Sequence, residues 1–413
     1  MSVFYTIGIL LYSLGVRIAA LFGNAKAVQW VKGRRDQKQR IGVPEPAEGP
    51  TEQWIWFHAA SLGEFEQGRP VIEALKQEFP QYKILLSFFS PSGYEIRKDY
   101  PLADEVLYLP SDTPAHAAQW VQRHHFVAAF FIKYEFWFSY MRALKDASIP
   151  LFYISLILKP DAYFFRWYGT WFFRQLKSVT HFFVQDDTTA QLLQSNGMTN
   201  VTVCGDTRFD RVAAIARQAK PFPEVERFIS GRQCIIAGST WPPDEKLLVD
   251  GCKQLPDDYC LIIAPHDISA SHVAQVKALF PDNQLYTELD GQKQSKVLII
   301  NTIGILSQLY QYARFVYIGG GFGVNIHNIQ EPVTFGCPVV FGPKYKSFKE
   351  AVDLVGLEGA FSVSNVAELE AVFNRLMYDE DFYAKASETC LNYLNSQVGA
   401  TESIIKGFKK ALF

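Results

Sequence analysis

The sequence predicts an α/β protein built from two doubly wound domains, each a parallel sheet between layers of helices. From Trp54 onward, short apolar stretches alternate with stretches of helical periodicity, which is the pattern of successive βαβ units. The chain has 413 residues, more than a single hydrophobic core usually holds. The alternation breaks once, between Arg211 and Phe228, where Pro221 and Pro223 interrupt it, so we expect a linker there.

Seven strands are predicted before this linker and six after it. They are residues 54–59, 83–89, 105–110, 127–133, 150–156, 181–185 and 201–205, then 234–239, 259–265, 296–301, 315–320, 337–342 and 360–364. The predicted organisation is an N-terminal hydrophobic anchor and basic segment (1–42), a Rossmann-like domain (43–210), the linker (211–228), a second Rossmann-like domain (229–395) and a C-terminal helix (396–413) packed back on the first domain. Ligands of such sheets bind at the carboxyl ends of the strands, so we expect the functional residues directly after strands, in a cleft between the domains.

Composition excludes several classes of protein. The chain is 48% hydrophobic and 20% charged, which is too apolar for a disordered protein. A net charge of −2 argues against a nucleic-acid partner, because phosphate contacts need a basic excess. Six scattered cysteines form no C-x-x-C pair and indicate reduced, buried thiols. Metal-ligand spacings do not stand at the predicted strand ends, so neither a metal nor another cofactor is expected.

The first 42 residues carry a net charge of +6, which leaves −8 on the rest of the chain. Val3 to Phe22 is a run of twenty residues with one charge, Arg17, about the length that crosses a hydrocarbon core. A basic cluster from Lys26 to Arg40 follows, and the positive-inside rule places it in the cytoplasm. We expect a membrane anchor, either a single-pass or an interfacial helix, that meets an anionic membrane surface. The alternative is a buried amphipathic helix.

Candidate catalytic residues follow three strands of the first domain. Glu64 falls near the start of a helix, where the dipole keeps a carboxylate ionised, and it suits a general base. The alternative is an S-x-x-E capping box between Ser61 and Glu64. Lys133 and Glu135 suit either a cleft wall or an ion pair at the rim of the sheet. Arg208 suits a cation that meets a developing phosphate, or else an interdomain salt bridge.

Candidate binding residues of the second domain also follow strands. The Gly238–Thr240 turn is expected to leave backbone N–H groups free for an anion. His266 suits a phosphate or base donor, although a lone histidine is more often a satisfied polar residue. The glycines at 319–323 allow close approach of a ligand, and Glu331 can accept ribose hydroxyls; a structural glycine turn is the alternative. A P-loop and a dinucleotide fingerprint at the first strand are both absent, which disfavours kinase and NAD functions.

An aromatic stretch, YFFRWYGTWFF, covers residues 163–173 and contains Arg166. Such a run suits a surface at the level of lipid headgroups, or a groove for acyl chains. The alternative is a large helix packed into the domain.

Six short motifs occur along the chain in a fixed order: H-A-x-S-x-G-E at 58–64, S-P-S-G at 90–93, E-x-W at 135–137, G-S-T at 238–240, H-N-x-x-E-P at 327–332 and G-P at 342–343. In this combination and order, they resemble a family, the 3-deoxy-D-manno-octulosonic acid (Kdo) transferases of lipopolysaccharide synthesis. The resemblance covers nearly the whole chain. It implies a B-type glycosyltransferase fold on the cytoplasmic face of the inner membrane. It also implies inverting, metal-independent transfer of Kdo from CMP-Kdo to the 6′-hydroxyl of a lipid A precursor (lipid IVA).

Carried over residue by residue, the resemblance and the strand ends give three sets of site residues. The catalytic set is Glu64, as the base, with Arg208 and Lys133. The donor-binding set is Ser239, Thr240, Pro265, His266, Ile303, Gly304, Ile305, Gly320, Gly321, Asn328, Ile329, Gln330 and Glu331. The acceptor-binding set is Ser61, Gly63, Ser90, Ser92, Gly93, Glu135 and Arg166. The chain departs from the family at Lys133 and Ile305 (glutamate in the family), Arg208 (lysine) and Trp241 (histidine).

Two other functions are weighed against this one. The first is a nucleotide-sugar epimerase of the same fold, which would need no anchor and would take UDP in place of CMP. The second is a non-catalytic, membrane-tethered protein that binds nucleotide sugars. The N-terminal anchor and Glu64 together disfavour both.

Overall fold

The computed structural model of the chain describes residues 2–41, 52–253, 255–289 and 295–412. The predicted boundary at residues 42 and 43, and the side chains of Lys38 and Arg40, lie outside what is described. The chain divides into two compact units, Met1–Asp210 with Val398–Phe413, and Arg211–Gln397.

The first unit begins with two helices, α1 (Ser2–Leu21) and α2 (Ala25–Ile41). By length and composition, α1 is the one helix in the described part of the chain that is long and apolar enough to cross a membrane. Ser13 is the buried residue of α1, so α1 is not the buried amphipathic helix weighed above. Asn24 starts α2, because its Oδ1 accepts the N–H of Ala27 at 3.1 Å and so pairs a group that a helix leaves unpaired.

Arg34 of α2 turns inward, which corrects its assignment to the basic surface. Its Nη2 donates to the carbonyl oxygens of Phe89 at 2.8 Å and Leu109 at 3.0 Å, and its guanidinium lies 3.8 Å from the Trp30 ring centroid. Burial lowers the pKa of Arg34 to about 9. The guanidinium therefore holds α2 on the first unit and is not presented to lipid.

The first unit contains a seven-stranded parallel sheet in the order β3-β2-β1-β4-β5-β6-β7. Its strands are β1 (Gln53–Ala59), β2 (Lys83–Phe88), β3 (Glu105–Tyr108), β4 (His125–Ile132), β5 (Leu151–Leu156), β6 (His181–Val184) and β7 (Val201–Val203). The chain runs from β1 to β2 and β3 on one side and then returns to β4 on the other side of β1. The carboxyl ends of β1 and β4 therefore flank the topological switch point, where doubly wound sheets bind ligands.

Both faces of this sheet are covered by helices. Trp54 and Trp56 belong to one apolar core and the alternating Ile55 and Phe57 to another, as expected for a parallel strand buried on both sides. The helices are α3 (Leu62–Glu78), α4 (Pro91–Arg97), α5 (Pro114–Val121), α6 (Phe138–Asp146), α7 (Thr170–Leu176), α8 (Asp187–Ser195) and α9 (Thr207–Arg217), with a 3₁₀ turn at Tyr163–Phe165. Side chains of α3 enter one core, and those of α5 to α8 enter the other.

The second unit repeats this architecture in the order β10-β11-β9-β8-β12-β13-β14, again with parallel pairs. Its strands are β8 (Gln233–Thr240), β9 (Tyr259–Pro265), β10 (Asn283–Leu285), β11 (Val297–Ile299), β12 (Ala313–Ile318), β13 (Val339–Phe341) and β14 (Ala360–Ser362). Its helices are α10 (Pro223–Ile229), α11 (Pro242–Gly251), α12 (Ala270–Leu279), α13 (Leu306–Leu309), α14 (Gln330–Val333), α15 (Lys349–Gly356), α16 (Val366–Tyr378) and α17 (Glu380–Gln397), with 3₁₀ turns at Tyr286–Glu288 and Tyr310–Tyr312. The switch point lies between β8 and β12.

The last helix, α18 (Ala400–Leu412), returns to the first unit. Ile404, Ile405 and Phe408 enter the same core as α3. Asp210 fixes its start, because its carboxylate accepts the N–H groups of Gly399 at 2.6 Å and Thr401 at 2.7 Å.

The predicted fold class is confirmed: two parallel seven-stranded sheets in an α/β fold. All the predicted strands form, and β10 is the one that the sequence does not reveal, because its three residues, Asn-Gln-Leu, are mostly polar. The segment predicted as a linker is largely helical, since α9 continues to Arg217 and α10 begins at Pro223. Proline suits the first position of a helix, because the N–H that it lacks would have no partner there.

Candidate functional site

Segments that follow β1, β2 and β4 meet at the switch point of the first unit. The N–H of Ser90, after β2, donates to the carbonyl oxygen of Ala60, after β1, at 2.7 Å. Ser61 and Glu64 follow Ala60 directly, and Lys133 follows β4. The structure therefore brings the predicted base, one predicted cation and part of the acceptor set to one edge of the sheet.

Glu64 lies in the first turn of α3 and is half-buried. Ser61 is the N-cap residue, with extended backbone at φ −140° and ψ −179°, but its side chain does not cap the helix. Its hydroxyl donates to the Glu64 carboxylate instead. The capping box weighed from the sequence is therefore not formed, and the carboxylate is held at the N-terminus of α3.

Lys133 holds a backbone conformation that is rare for a residue with a side chain. Its φ is +66°, while its N–H donates to the carbonyl oxygen of Ile154 at 2.9 Å. Left-handed backbone at a non-glycine residue is uncommon and clusters at functional sites. Its Nζ lies 5.4 Å from the ring centroid of Tyr134, and burial and the charges of Asp186 and Glu64 raise the pKa of Tyr134. Lys133 and Glu64 thus share the surroundings of one tyrosine ring.

Glu135 differs from the expectation that it faces the acceptor. Its side chain is buried, and its Oε2 contacts His58 Nε2 at 3.1 Å and accepts the Trp137 indole N–H at 2.7 Å. His58 Nδ1 lies 2.8 Å from the Ser87 hydroxyl. This polar network lies under the switch point and positions the loops above it. Sequence reasoning missed the role of His58; its signal is a histidine at the carboxyl end of a strand that neighbours β4.

The other predicted acceptor residues divide into exposed and structural ones. The Ser90 and Ser92 hydroxyls lie 3.0 Å apart at the exposed start of α4. Gly93 is buried, and a Cβ there would lie 2.3 Å from the Phe88 ring, so packing accounts for this glycine. Gly63 is exposed beside Glu64. Arg166 is exposed, and its Nε donates to the carbonyl oxygen of Asp161 at 3.3 Å.

A pocket of about 610 Å³ opens beside these residues, between the loops that follow β4 and β5. Most of its lining is apolar: Phe136, Trp137, Ile157, Leu158, Ala162, Tyr163 and Phe164. Of the aromatic stretch at 163–173, Phe164 and Phe173 are buried, whereas Trp167 is 91% exposed. Part of the stretch therefore belongs to the core, and part forms a protruding aromatic tip.

Arg208, the remaining predicted catalytic residue, is the second residue of α9. Its Nε and Nη2 donate to Asp206 Oδ2 at 2.9 and 2.6 Å, and its N–H donates to Oδ1 at 2.9 Å. Asp206 is buried and also accepts the Gln67 side-chain amide at 3.4 Å. The pair forms within the first unit and fixes the direction of the guanidinium, whose side chain is 31% exposed.

Asp244 organises the switch point of the second unit. It is 1% exposed. Its Oδ2 accepts the N–H groups of Trp241 and Gly320, both at 2.9 Å, and its Oδ1 accepts the Tyr317 hydroxyl at 2.8 Å. The sequence shows Asp244 as an acid in the first turn of a helix, but not its bond to Gly320, which lies 76 residues away. One carboxylate thus ties the turn after β8 to the glycine turn after β12.

The turn after β8 differs from the expectation of free backbone donors. The first two positions of α11 are Pro242 and Pro243, which have no N–H, and Asp244 accepts the N–H of Trp241, the residue before them. Thr240 is fully buried, and its hydroxyl donates to Glu245 at 3.1 Å. An anion at this turn would meet few of the donors that helix N-termini usually offer.

Three rings stack above this turn, and we call Trp241, His266 and His327 the ring platform. The centroid of His266 lies 4.6 Å from that of Trp241 and 4.5 Å from that of His327. The Trp241 indole N–H donates to His327 Nε2 at 2.9 Å, so His327 is a neutral imidazole with its hydrogen on Nδ1. Burial and the neighbouring His266 lower the pKa of His327, which favours the same form. Pro265 ends β9 and places His266 in the platform.

The glycine turn after β12 is shaped partly by contacts within the protein. Gly320 has φ +92°, and a Cβ at Gly321 would lie 2.7 Å from the backbone of Gly342. Ile329 and Gln330 are 1% exposed, so their side chains point away from solvent. A structural glycine turn, the alternative weighed from the sequence, therefore explains the residues at Gly320, Gly321, Ile329 and Gln330.

Asn328 and Glu331 differ from these positions, because Asn328 is exposed and Glu331 is only half-buried. The Asn328 side-chain amide donates to Glu331 Oε1 at 3.3 Å. Burial raises the pKa of Glu331. The predicted segment 303–305 follows β11 at the same edge of the sheet, with Ile303 84% exposed. Among the described residues, no group of three or more His, Cys, Asp or Glu side chains is placed to hold a metal ion.

Comparisons with known proteins agree with the family resemblance that was found in the sequence. Residues 35–211 match the family model described as 3-deoxy-D-manno-octulosonic-acid transferase (kdotransferase). The chain is similar to a 3-deoxy-D-manno-octulosonic acid transferase of Aquifex aeolicus, with 26% identity over 331 residues that cover 78% of this chain and 86% of the relative. It is also similar to the transferase of that name from Chlamydia muridarum, with 26% identity over 83% of this chain and 82% of the relative.

Solved structures with a similar fold include UDP-GlcNAc 2-epimerase from Neisseria meningitidis bound to UDP-GlcNAc, with a TM-score of 0.60, 13% identity and coverage of 87% of this chain and 100% of the other. A second is a UDP-N-acetylglucosamine 2-epimerase from Listeria monocytogenes, with a TM-score of 0.59, 11% identity and coverage of 88% and 97%. At such identities the likeness shows the fold alone. The family model and the curated relatives confirm the resemblance to the Kdo transferases that was found in the sequence, and they indicate that the chain is a glycosyltransferase.

Proposed function

We propose that the chain transfers Kdo from CMP-Kdo to the 6′-hydroxyl of a lipid A precursor, with inversion and without a metal ion. The observation that carries the proposal is the Glu64 carboxylate, held by Ser61 at the N-terminus of α3 at the switch point of the first unit. A positioned carboxylate can take the proton of an attacking hydroxyl.

The reaction is a single displacement. Glu64 accepts the proton as the hydroxyl oxygen of the acceptor forms a bond to the anomeric carbon of Kdo. The bond from that carbon to the phosphate oxygen breaks, and its electron pair leaves with CMP. Attack opposite the leaving group inverts the carbon. Arg208 and Lys133 supply the cations that stabilise the developing negative charge on the phosphate.

The acceptor half of the proposal rests on the first unit. The apolar pocket between the β4 and β5 loops has the lining that an acyl chain needs. The exposed hydroxyls of Ser90 and Ser92 and the exposed Arg166 offer polar groups for sugar and phosphate. A lipid A precursor combines all three kinds of chemistry.

The donor half rests on the second unit. The ring platform offers an aromatic surface on which a cytosine base can stack, an interaction worth about 1–3 kcal/mol per base. The Asn328 amide and the Glu331 carboxylate offer polar groups that would bind ribose hydroxyls. Ile303, Gly304 and Ile305 border the same edge. Asp244 and Thr240 act as positioning residues behind it.

Location follows from the same chemistry. An acceptor with acyl chains lies in a membrane, and α1 offers an apolar helix at the same unit as Glu64. The basic residues that follow α1 suit an anionic lipid surface, and the family resemblance implies the cytoplasmic face of the inner membrane.

The direct test incubates the purified chain with CMP-Kdo and a tetraacylated, bisphosphorylated disaccharide, followed by mass spectrometry of the lipid. We expect the lipid to gain the mass of one or more Kdo residues, in the presence of EDTA as well as in its absence. Conversion of UDP-GlcNAc to its 2-epimer without any change in the lipid would favour the epimerase. CMP-Kdo binding with no turnover of either substrate would favour the non-catalytic binding protein.

We expect CMP binding to weaken as the pH falls, beginning at a higher pH than an ordinary glutamate would cause. Burial raises the pKa of Glu331, and the ionised form is the one that accepts ribose hydroxyls, so binding is lost as the pH falls through that raised pKa. In the ligand-free chain, protonation of Glu331 raises the free energy of unfolding as the pH falls, because it removes a buried charge. Calorimetric Kd values for CMP between pH 5 and 8 measure the effect. Glu331→Gln should bind more weakly with a flatter profile; an unchanged slope in that variant contradicts the assignment.

A further inference from the structure

One side of α1 lies along the first unit over nearly its full length. Its less exposed residues are Tyr5, Thr6, Ile9, Ser13, Val16, Ala19 and Ala20, and the series Tyr5, Ile9, Ser13, Val16, Ala20 recurs at intervals of three or four. Residues at this spacing share one face of a helix. The helix therefore packs sideways on the protein.

Two hydrogen bonds clamp this face to the folded unit. The Tyr5 hydroxyl donates to Asp112 Oδ2 at 2.6 Å, and the Ser13 and Ser111 hydroxyls lie 3.0 Å apart. Tyr5 and Ser13 are eight residues apart, about 12 Å along a helix axis. Asp112 is fully buried and also accepts the N–H of Ser139 at 3.1 Å. Both clamps thus attach α1 to the interior of the unit.

The position of α1 on the unit is also defined. Both clamp partners follow β3. Tyr5 packs at 5.2 Å on Phe138, which starts α6 after the β4 loop, and Tyr12 packs at 6.0 Å on Phe89 of the β2 loop. These loops all stand at the carboxyl edge of the sheet. Glu64 stands at the same edge. The apolar helix and the proposed base therefore share one end of the unit.

The opposite side of α1 is apolar and exposed. Its exposed side chains include Val3, Phe4, Ile7, Leu10, Leu11, Leu14, Ile18 and Leu21. Exposed cations follow on α2, at Lys26, Lys32 and Arg35. A contiguous exposed surface formed by so many large apolar side chains marks an interaction site. Its combination with the basic rim on α2 matches an anionic lipid surface.

We propose that α1 is an interfacial helix, which lies in the plane of an anionic membrane and does not span it. A spanning α1 would carry Asp112, Ser111 and the loops packed on the helix into the hydrocarbon, where polar backbone has no partners. An in-plane α1 keeps these groups at headgroup level and sinks the exposed apolar side into the acyl chains. Resting on the proposed function, it also places the Glu64 edge against the membrane, so a lipid acceptor is reached without leaving the bilayer.

The test measures depth along α1 in the full-length chain. Phe4→Cys, Leu11→Cys and Ile18→Cys are labelled separately with an environment-sensitive fluorophore; these positions are seven residues apart and so lie on one face. The chains are bound to phosphatidylglycerol vesicles that contain lipids with nitroxide quenchers at known depths. Gln53→Cys, at the opposite edge of the sheet, is the matched control, and the labelled wild-type chain measures the background from its own cysteines.

We expect similar, shallow quenching at positions 4, 11 and 18 and none above background at position 53. A deepest label at position 11, flanked by shallow labels at 4 and 18, would show a span and overturn the proposal. Labels that vesicles leave unchanged would overturn the membrane assignment. The measurement needs neither donor nor acceptor, so a chain without transferase activity but with level, shallow quenching would contradict the proposed function alone.

Discussion

Glu64→Gln is expected to lose nearly all transfer of Kdo while CMP binding stays unchanged. The substitution keeps the size of the side chain and its bond to Ser61, but an amide cannot accept the proton of the acceptor hydroxyl. A positioned general base contributes roughly 10²–10⁴-fold to a rate, so kcat should fall by about that factor. In the proposed reaction Glu64 contacts the acceptor hydroxyl and not CMP, so the Kd for CMP measured by calorimetry should not change.

Glu66→Gln is the matched control. It removes a carboxylate from the same helix, two residues away, where Glu66 pairs with Arg97 at 2.7 Å. Such a half-exposed pair contributes little to stability, and we expect turnover near that of the wild type. Full activity in Glu64→Gln, or equal losses in the two variants, would remove Glu64 from the role of base.

The fold and the edge that carries the site follow from the sequence because both depend on local periodicity. Strands buried on both faces read as short apolar stretches, and their alternation with helices predicts a doubly wound sheet. That sheet places Glu64, Lys133 and His266 directly after strands, where the structure has them. The order of strands then brings β1 beside β4 and β8 beside β12.

The direction of individual side chains does not follow from the sequence. Glu135 and Thr240 stand at predicted positions, yet both turn inward, because His58 and Glu245 satisfy them from neighbouring elements. Arg34 is predicted as a surface charge from the sequence, but in the structure it donates to two backbone carbonyls and packs on the ring of Trp30. Each of these outcomes depends on partners distant in the chain, which periodicity cannot identify.

Asp244→Ala is expected to destabilise the second unit and to abolish measurable CMP binding. The buried carboxylate accepts three hydrogen bonds, and its removal leaves the N–H groups of Trp241 and Gly320 without their acceptor. Hydrogen bonds to charged groups contribute about 1.5–3 kcal/mol each, and with partial relaxation we expect a loss of about 3 kcal/mol. For a unit of this size that lowers Tm by roughly 6–12 °C, measured by calorimetry on the full chain.

Asp244→Asn separates loss of shape from loss of charge. Its amide oxygen can accept from both backbone N–H groups, while its NH₂ faces the Tyr317 hydroxyl, which can accept as well as donate. This variant should therefore retain most of the stability and most of the CMP affinity. Hydrogen exchange at the amide of Gly320 supplies the local readout, fast in Asp244→Ala and slow in Asp244→Asn. If the alanine variant kept slow exchange and the wild-type Kd for CMP, the glycine turn would be held without Asp244, and the donor half of the site would have to be built on other contacts.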